Sequence, residues 1–100
     1  KTGARSVNAN TNPAIAAMPS ITASGATAID IGGYLSDADG NAVYISIADT
    51  LRGTVSFMGT VLNYTPSQND IGSGATDTIY ITVSDGQGGT ADSAISVYIP

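Results

Sequence analysis

Thr78-Ile79-Tyr80-Ile81-Thr82-Val83-Ser84 leads into Asp85-Gly86-Gln87-Gly88-Gly89, and Ser93-Ala94-Ile95-Ser96-Val97-Tyr98-Ile99 follows shortly after. In both seven-residue runs apolar and polar side chains alternate with a period of two, as in a strand with one buried face. The alternation sends Ile79, Ile81 and Val83 inward from the first run, and Ile95, Val97 and Ile99 inward from the second. The glycine-rich segment between them reads as a hairpin loop. Two long half-buried antiparallel strands need a second sheet to cover their apolar side, so the stretch predicts a β-sandwich.

Working outward, the same chemistry recurs. Thr, Val, Ile and Tyr dominate from Ala14 onward, and turn residues return at sandwich-like spacing. Short opening strands are expected over Ala14–Met18 and Ile21–Ala23, with another over Thr27–Ile31. Ala42–Ala48 alternates with Val43, Ile45 and Ile47 on one face. Thr54–Phe57 and Val61–Tyr64 form a hairpin across Met58-Gly59-Thr60, with Leu62 and Tyr64 inward. The expectation is an all-β, seven-stranded Greek-key β-sandwich over residues 13–100, preceded by a linker or N-terminal joint over residues 1–12.

At 100 residues the chain is long enough to bury a single core. Eight acidic residues against three basic ones give a net charge of −5. Nucleic-acid binding needs a positive surface, and anionic membrane surfaces repel this charge, so both partner classes are set aside. No apolar run approaches the ~18 residues that span a membrane, and no signal-peptide core is visible; the chain reads as excised from a longer one. Cys and His are absent, which removes thiol nucleophiles, zinc sites and the usual general base. The aspartates lie in wet, Gly- and Ser-rich loops that do not raise a carboxyl pKa, so an enzyme is not expected. Absence of disulfides together with the aspartate loops favours an extracellular bacterial chain over a reduced cytosolic one.

All the acidic residues are Asp, which keeps every carboxylate short and close to its backbone. Ser36-Asp37-Ala38-Asp39-Gly40-Asn41 can present carboxylates, an amide oxygen and backbone carbonyls within a few ångströms. That is the all-oxygen donor set calcium prefers. Turn chemistry explains the same residues equally simply, because Asp and Gly are favoured in tight turns. Asp30, Asp49, Asp70, Asp77 and Asp92 read as solubilising or turn residues, with Asp92 a secondary candidate beside Asp85.

The stretch from Tyr34 to Tyr44, Gly53-Thr54-Val55, Leu62-Asn63-Tyr64-Thr65-Pro66 and the ending from Ile79 to Ala91 resemble, in order and spacing, the cadherin-like repeats of bacterial adhesins and other large secreted proteins. The resemblance implies calcium at the joints between successive domains. Position by position, it places Asp37 and Asp39 on the D-x-D loop, Asn41 beside it and Asp85 on the late aspartate. Asn8-Ala9-Asn10-Thr11-Asn12-Pro13 is similar to the ligand-bearing linker, which adds Asn10 and Asn12 as candidate ligands. Asn8 and Thr11 stand where acids are usual, which implies fewer carboxylates and roughly micromolar-to-millimolar affinity, with room for a single ion. The implied module is a structural or adhesive tandem repeat, with neighbouring repeat domains, or a homophilic copy, as partners.

Tyr44, Tyr80 and Tyr98 all alternate away from the aliphatic faces of their strands. On one shared sheet they would offer either a carbohydrate-stacking strip or simple cross-strand packing. The first alternative makes the domain a polysaccharide-binding module. Asn63-Tyr64-Thr65 matches a glycosylation acceptor, but an inward Tyr64 on a strand argues against its use.

Overall fold

The computed structural model describes residues 10–100. The linker expected over residues 1–12 lies mostly outside them, Asn8 included. Nine strands follow in order: β1 (Ala14–Ile15), β2 (Ile21–Thr22), β3 (Thr27–Asp30), β4 (Leu35–Ser36), β5 (Tyr44–Thr50), β6 (Thr54–Met58), β7 (Val61–Thr65), β8 (Ala75–Ser84) and β9 (Thr90–Ile99). The helical content among the described residues is one 3₁₀ turn, Gly32–Tyr34.

Seven strands build the sandwich. One sheet has the order β2-β9-β8-β5 and the other β3-β7-β6, while β1 and β4 form a separate two-residue ladder at one end. Sequence neighbours β2 and β3 sit in opposite sheets, as do β5 and β6, which is the Greek-key wiring expected from the strand pattern. The inner faces carry Ile79, Ile81 and Val83 from β8, Ile95, Val97 and Ile99 from β9, and Leu62 and Tyr64 from β7, all fully buried. Each such aliphatic side chain contributes about 1.5–3 kcal/mol by leaving water.

Strands β8 and β9 are longer than the alternation alone indicated, pairing without interruption from Ala75↔Ile99 to Ser84↔Thr90. The opening strand is shorter, because the chain leaves β1 at Ile15 and re-pairs as β2 along β9. One shared-face assignment, that of Ile47 with Ile45, is wrong. The β5–β8 register shifts between Ile45 and Ile47, so Ser46 is an extra residue on β5. A bulge of this kind reverses the alternation downstream. Ile45 is buried, whereas Ile47 faces solvent at 59% exposure.

Asp70 and Asp77 also depart from the sequence reading, being 4% and 2% exposed. Asp77 Oδ2 accepts the Gly53 amide at 2.8 Å and the Tyr64 hydroxyl at 2.6 Å. Its Oδ1 accepts the amides of Leu51, Arg52 and Thr78 at 3.2, 3.0 and 2.7 Å. Arg52 in turn forks onto Asp70, Nε to Oδ2 at 2.8 Å and Nη2 to Oδ1 at 2.6 Å. The β5–β6 turn is therefore latched to β8 and to the loop before it. Gly53 is needed for space here, because a Cβ would collide with the Thr65 carbonyl oxygen.

Burial pushes the Asp77 carboxyl up, but the Tyr64 hydroxyl and the amides of Gly53, Thr78 and Arg52 hold it below the ordinary Asp value. A depressed folded-state pKa stabilises the fold above the unfolded value, and that stability is lost as pH falls through the folded value. Chemical denaturation is expected to show the domain losing stability below about pH 4. Asp77→Ala strands a buried hydroxyl and several amides, so it should cost about 3 kcal/mol at neutral pH and flatten that acid limb.

Candidate functional site

The short β1–β4 ladder determines which residues meet at one end of the sandwich. Ala14 pairs with Ser36 and Ile15 with Leu35, and the Ala16 amide donates to the Tyr34 carbonyl at 2.8 Å. Continued beyond Ala14, this register sets residue 13 opposite 37 and residue 11 opposite 39. The Thr11 amide indeed donates to Asp39 Oδ2 at 2.7 Å. The segment just ahead of the sandwich is thus laid along the Asp37–Asn41 loop.

That loop is shaped by Asp37, whose Oδ1 accepts the Asp39 amide at 2.8 Å and, at the long limit of 3.5 Å, the Asn41 amide. Gly40 closes the turn at φ 79°, a conformation other residues adopt at a cost. Asn41 thereby enters the site through its backbone.

The β8–β9 hairpin supplies the other wall. Asp85 follows the last residue of β8 and is 3% exposed. Its Oδ1 accepts the amides of Gln87 at 2.8 Å and Gly89 at 3.0 Å, which ties the five-residue loop to its first member. Its Oδ2 accepts Asn10 Nδ2 at 2.7 Å. Asn12 Oδ1 lies on the same spot, since it and Asn10 both border the bare Cα of Gly89. The Asn10 hydrogen bond is the main influence holding the Asp85 carboxyl below the ordinary range. Burial opposes it, and the amides of Gln87 and Gly89 add to it.

The Asp37 carboxyl is a neighbour of the Asp85 carboxyl at this end of the sandwich. Asp37 Oδ2 is buried and receives no hydrogen bond from any donor among the described residues. Two neighbouring carboxylates repel unless a proton or a cation lies between them. Among the described residues no three acidic side chains converge as a metal-ligating group, because Asp39 directs Oδ2 to the Thr11 amide. The arrangement amounts to two carboxylates, Asp37 and Asp85, with the amide groups of Asn10 and Asn12 at one edge.

Residue by residue, the fold gathers Asp37, Asp85, Asn10 and Asn12, brings Asp39 in through Thr11, and brings in Asn41 by its main chain. Thr11 and Gly89 were missed by sequence reasoning. Thr11 acts through an amide that carries no sequence signal, and Gly89 is masked within a tract that reads as turn glycine. Asp92 bonds instead to Thr82 Oγ1 at 2.8 Å on the outer face.

A family model for the bacterial Ig domain matches residues 10–98. The chain belongs to the bacterial Ig domain family. The match runs from the first described linker residue to β9, so the cadherin-like repeat expected from the motif order is a bacterial Ig-like repeat. Neither curated proteins nor solved structures gave a significant match. Bacterial Ig domains are generally non-catalytic and typically serve as structural repeats of surface proteins.

The three tyrosines of this bacterial Ig domain do share the outer face of the four-stranded sheet. They are 42%, 48% and 47% exposed at Tyr44, Tyr80 and Tyr98. They are staggered along it. Tyr98 pairs with Thr76, Tyr80 is itself on β8, and Tyr44 pairs with Ser84, so they are stepped four residues apart along β8. That step is about 13 Å. Tyr44 and Tyr98 instead carry their hydroxyls to Gly86 and Gly74, where a Cβ would sit 3.3 and 3.7 Å away.

Following the Asp85 carboxyl carbon by NMR through a pH titration in EDTA should give a midpoint below that of an ordinary aspartate. Asn10→Ala removes a donor to the charged form and should raise the midpoint. An unchanged midpoint would separate Asn10 from Asp85 in solution.

Proposed function

We propose that this bacterial Ig domain is a calcium-stiffened structural repeat of a large extracellular protein. In this reading the cation binds at the end of the sandwich where the chain enters. The observation that carries the proposal is the buried Asp37 Oδ2, which has no donor among the described residues, beside the Asp85 carboxyl. A hard cation relieves that repulsion in the way a neutral side chain cannot. Asp37 and Asp85 would hold it, with amide oxygens from Asn10 and Asn12 and the nearby backbone completing an oxygen shell. Two carboxylates fit a weak site for one ion, suited to extracellular calcium in the millimolar range.

The role follows from linkage. An ion that binds only the docked, folded state stabilises it by RT ln(1 + [Ca²⁺]/Kd). It would tie the entering chain, and through it a preceding repeat, to the sandwich. Repulsion between the aspartates would loosen that joint when calcium is withdrawn. Adhesion through neighbouring repeats is the corresponding biological role. The polysaccharide alternative has less support, because the tyrosines are staggered along the strands and Tyr44 and Tyr98 lie with their hydroxyls near Gly86 and Gly74. A homophilic copy is not adopted, given the net charge of −5.

The test is a thermal melt in EDTA and then in calcium at about ten times the dissociation constant. Stabilisation of about 1.4 kcal/mol is expected there, which is roughly 7 °C for a domain of this size. Asp37→Ala should abolish the shift, whereas Asp92→Ala should leave it intact. An equal melting point with and without calcium in the parent domain would sink the proposal.

A further inference from the structure

Gly89 differs from the other glycines of its hairpin. Gly86 and Gly88 have φ of 75° and 92°, so the turn itself requires glycine there. Gly89 is not in the left-handed region, and turn geometry does not demand it. Space does. A Cβ at position 89 would lie 2.5 Å from Asp85 Oδ2, 2.7 Å from Asn10 Nδ2 and 3.1 Å from Asn12 Oδ1. Two of those three atoms belong to the entering chain. Gly89 is also buried while Gly86, Gln87 and Gly88 are exposed, so the entering segment covers it.

We infer that Gly89 is a docking seat for the Asn10–Asn12 segment, and that this segment is strapped to the sandwich without metal. Three contacts hold the strap: Asn10 Nδ2 on Asp85 Oδ2 at 2.7 Å, the Thr11 amide on Asp39 Oδ2 at 2.7 Å, and Asn10 and Asn12 against the bare Gly89 Cα. The β1–β4 register delivers the strap to this position before any ion is considered. The direction from which the chain reaches the domain is therefore set by protein contacts alone. A cation adds stiffness to a direction already chosen, and does not recruit a free linker. This inference stands apart from the calcium reading, and either can fail without the other.

The experiment is amide hydrogen exchange by NMR on the 100-residue chain in EDTA, reading the Thr11 amide. Exchange about tenfold or more slower than in an unstructured peptide of the same sequence is expected. Gly89→Ala should return Thr11 to the peptide rate while the core amides of Leu62 and Ile79 stay protected. If Gly89→Ala also exposes the Gln87 amide, the hairpin itself is disturbed and Asn10→Ala decides: it should speed exchange at Thr11 and spare Gln87. Unprotected Thr11 in EDTA, or protection unchanged by both substitutions, would overturn the seat. Protection that arises only on adding calcium would overturn it too, while supporting the ion. Protection in EDTA without any calcium-induced melting shift would keep the seat and remove the ion.

Discussion

The uninterrupted ladder between β8 and β9 is the interaction on which the rest of this domain depends. Ten residue pairs run from Ala75↔Ile99 to Ser84↔Thr90, and their inner faces supply six of the fully buried aliphatic side chains. The ladder also carries one buried aspartate near each end. Asp77 lies near the start of β8 and Asp85 just past its end, about 26 Å apart by strand geometry. The two carboxylates are solved differently. Asp77 is saturated by donors from the β5–β6 turn and Tyr64, which makes that end a closed structural latch. Asp85 organises its own hairpin and then offers its second oxygen to the entering chain.

A ladder of only two residues does the remaining positional work. By pairing Ala14 with Ser36, the β1–β4 contact sets the entering segment antiparallel to the aspartate loop. The Thr11–Asp39 bond falls on this register, although it involves no recognisable motif residue on the Thr11 side. Membership of the bacterial Ig domain family accounts for the sandwich. The chemistry at its end comes from Asn10, Asn12, Asp37, Asp39, Asp85 and Gly89.

Much of the architecture was legible in the sequence because burial on one side of a strand imposes a period of two. Val83, Val97 and Leu62 could be assigned inward from that alone. The period failed at Ser46, where one extra residue reversed the face of Ile47, and a bulge leaves no mark in composition. The aspartates of the candidate site were visible as Asp–Gly loops, and the asparagines as a repeated Asn-x-Asn pattern. What could not be read was which aspartates are enclosed by distant segments. Asp70 and Asp77 look like loop and turn residues, and only tertiary contact with Arg52 and Gly53 reveals them as buried. Gly89 was hidden for a related reason. A glycine kept for room and a glycine kept for its backbone angle are the same letter.

The parallel pairing of β2 with β9 carries a mechanical consequence. Ile21 and Thr22 run in the same direction as their partners Val97 and Tyr98, and they lie toward opposite termini of the chain. Tension applied between the two termini therefore drags these strands lengthwise past each other. Their hydrogen bonds are loaded together in shear, and do not open one after another as in a peeled hairpin. A strap that fixes where the pulling force enters would keep the load on that line.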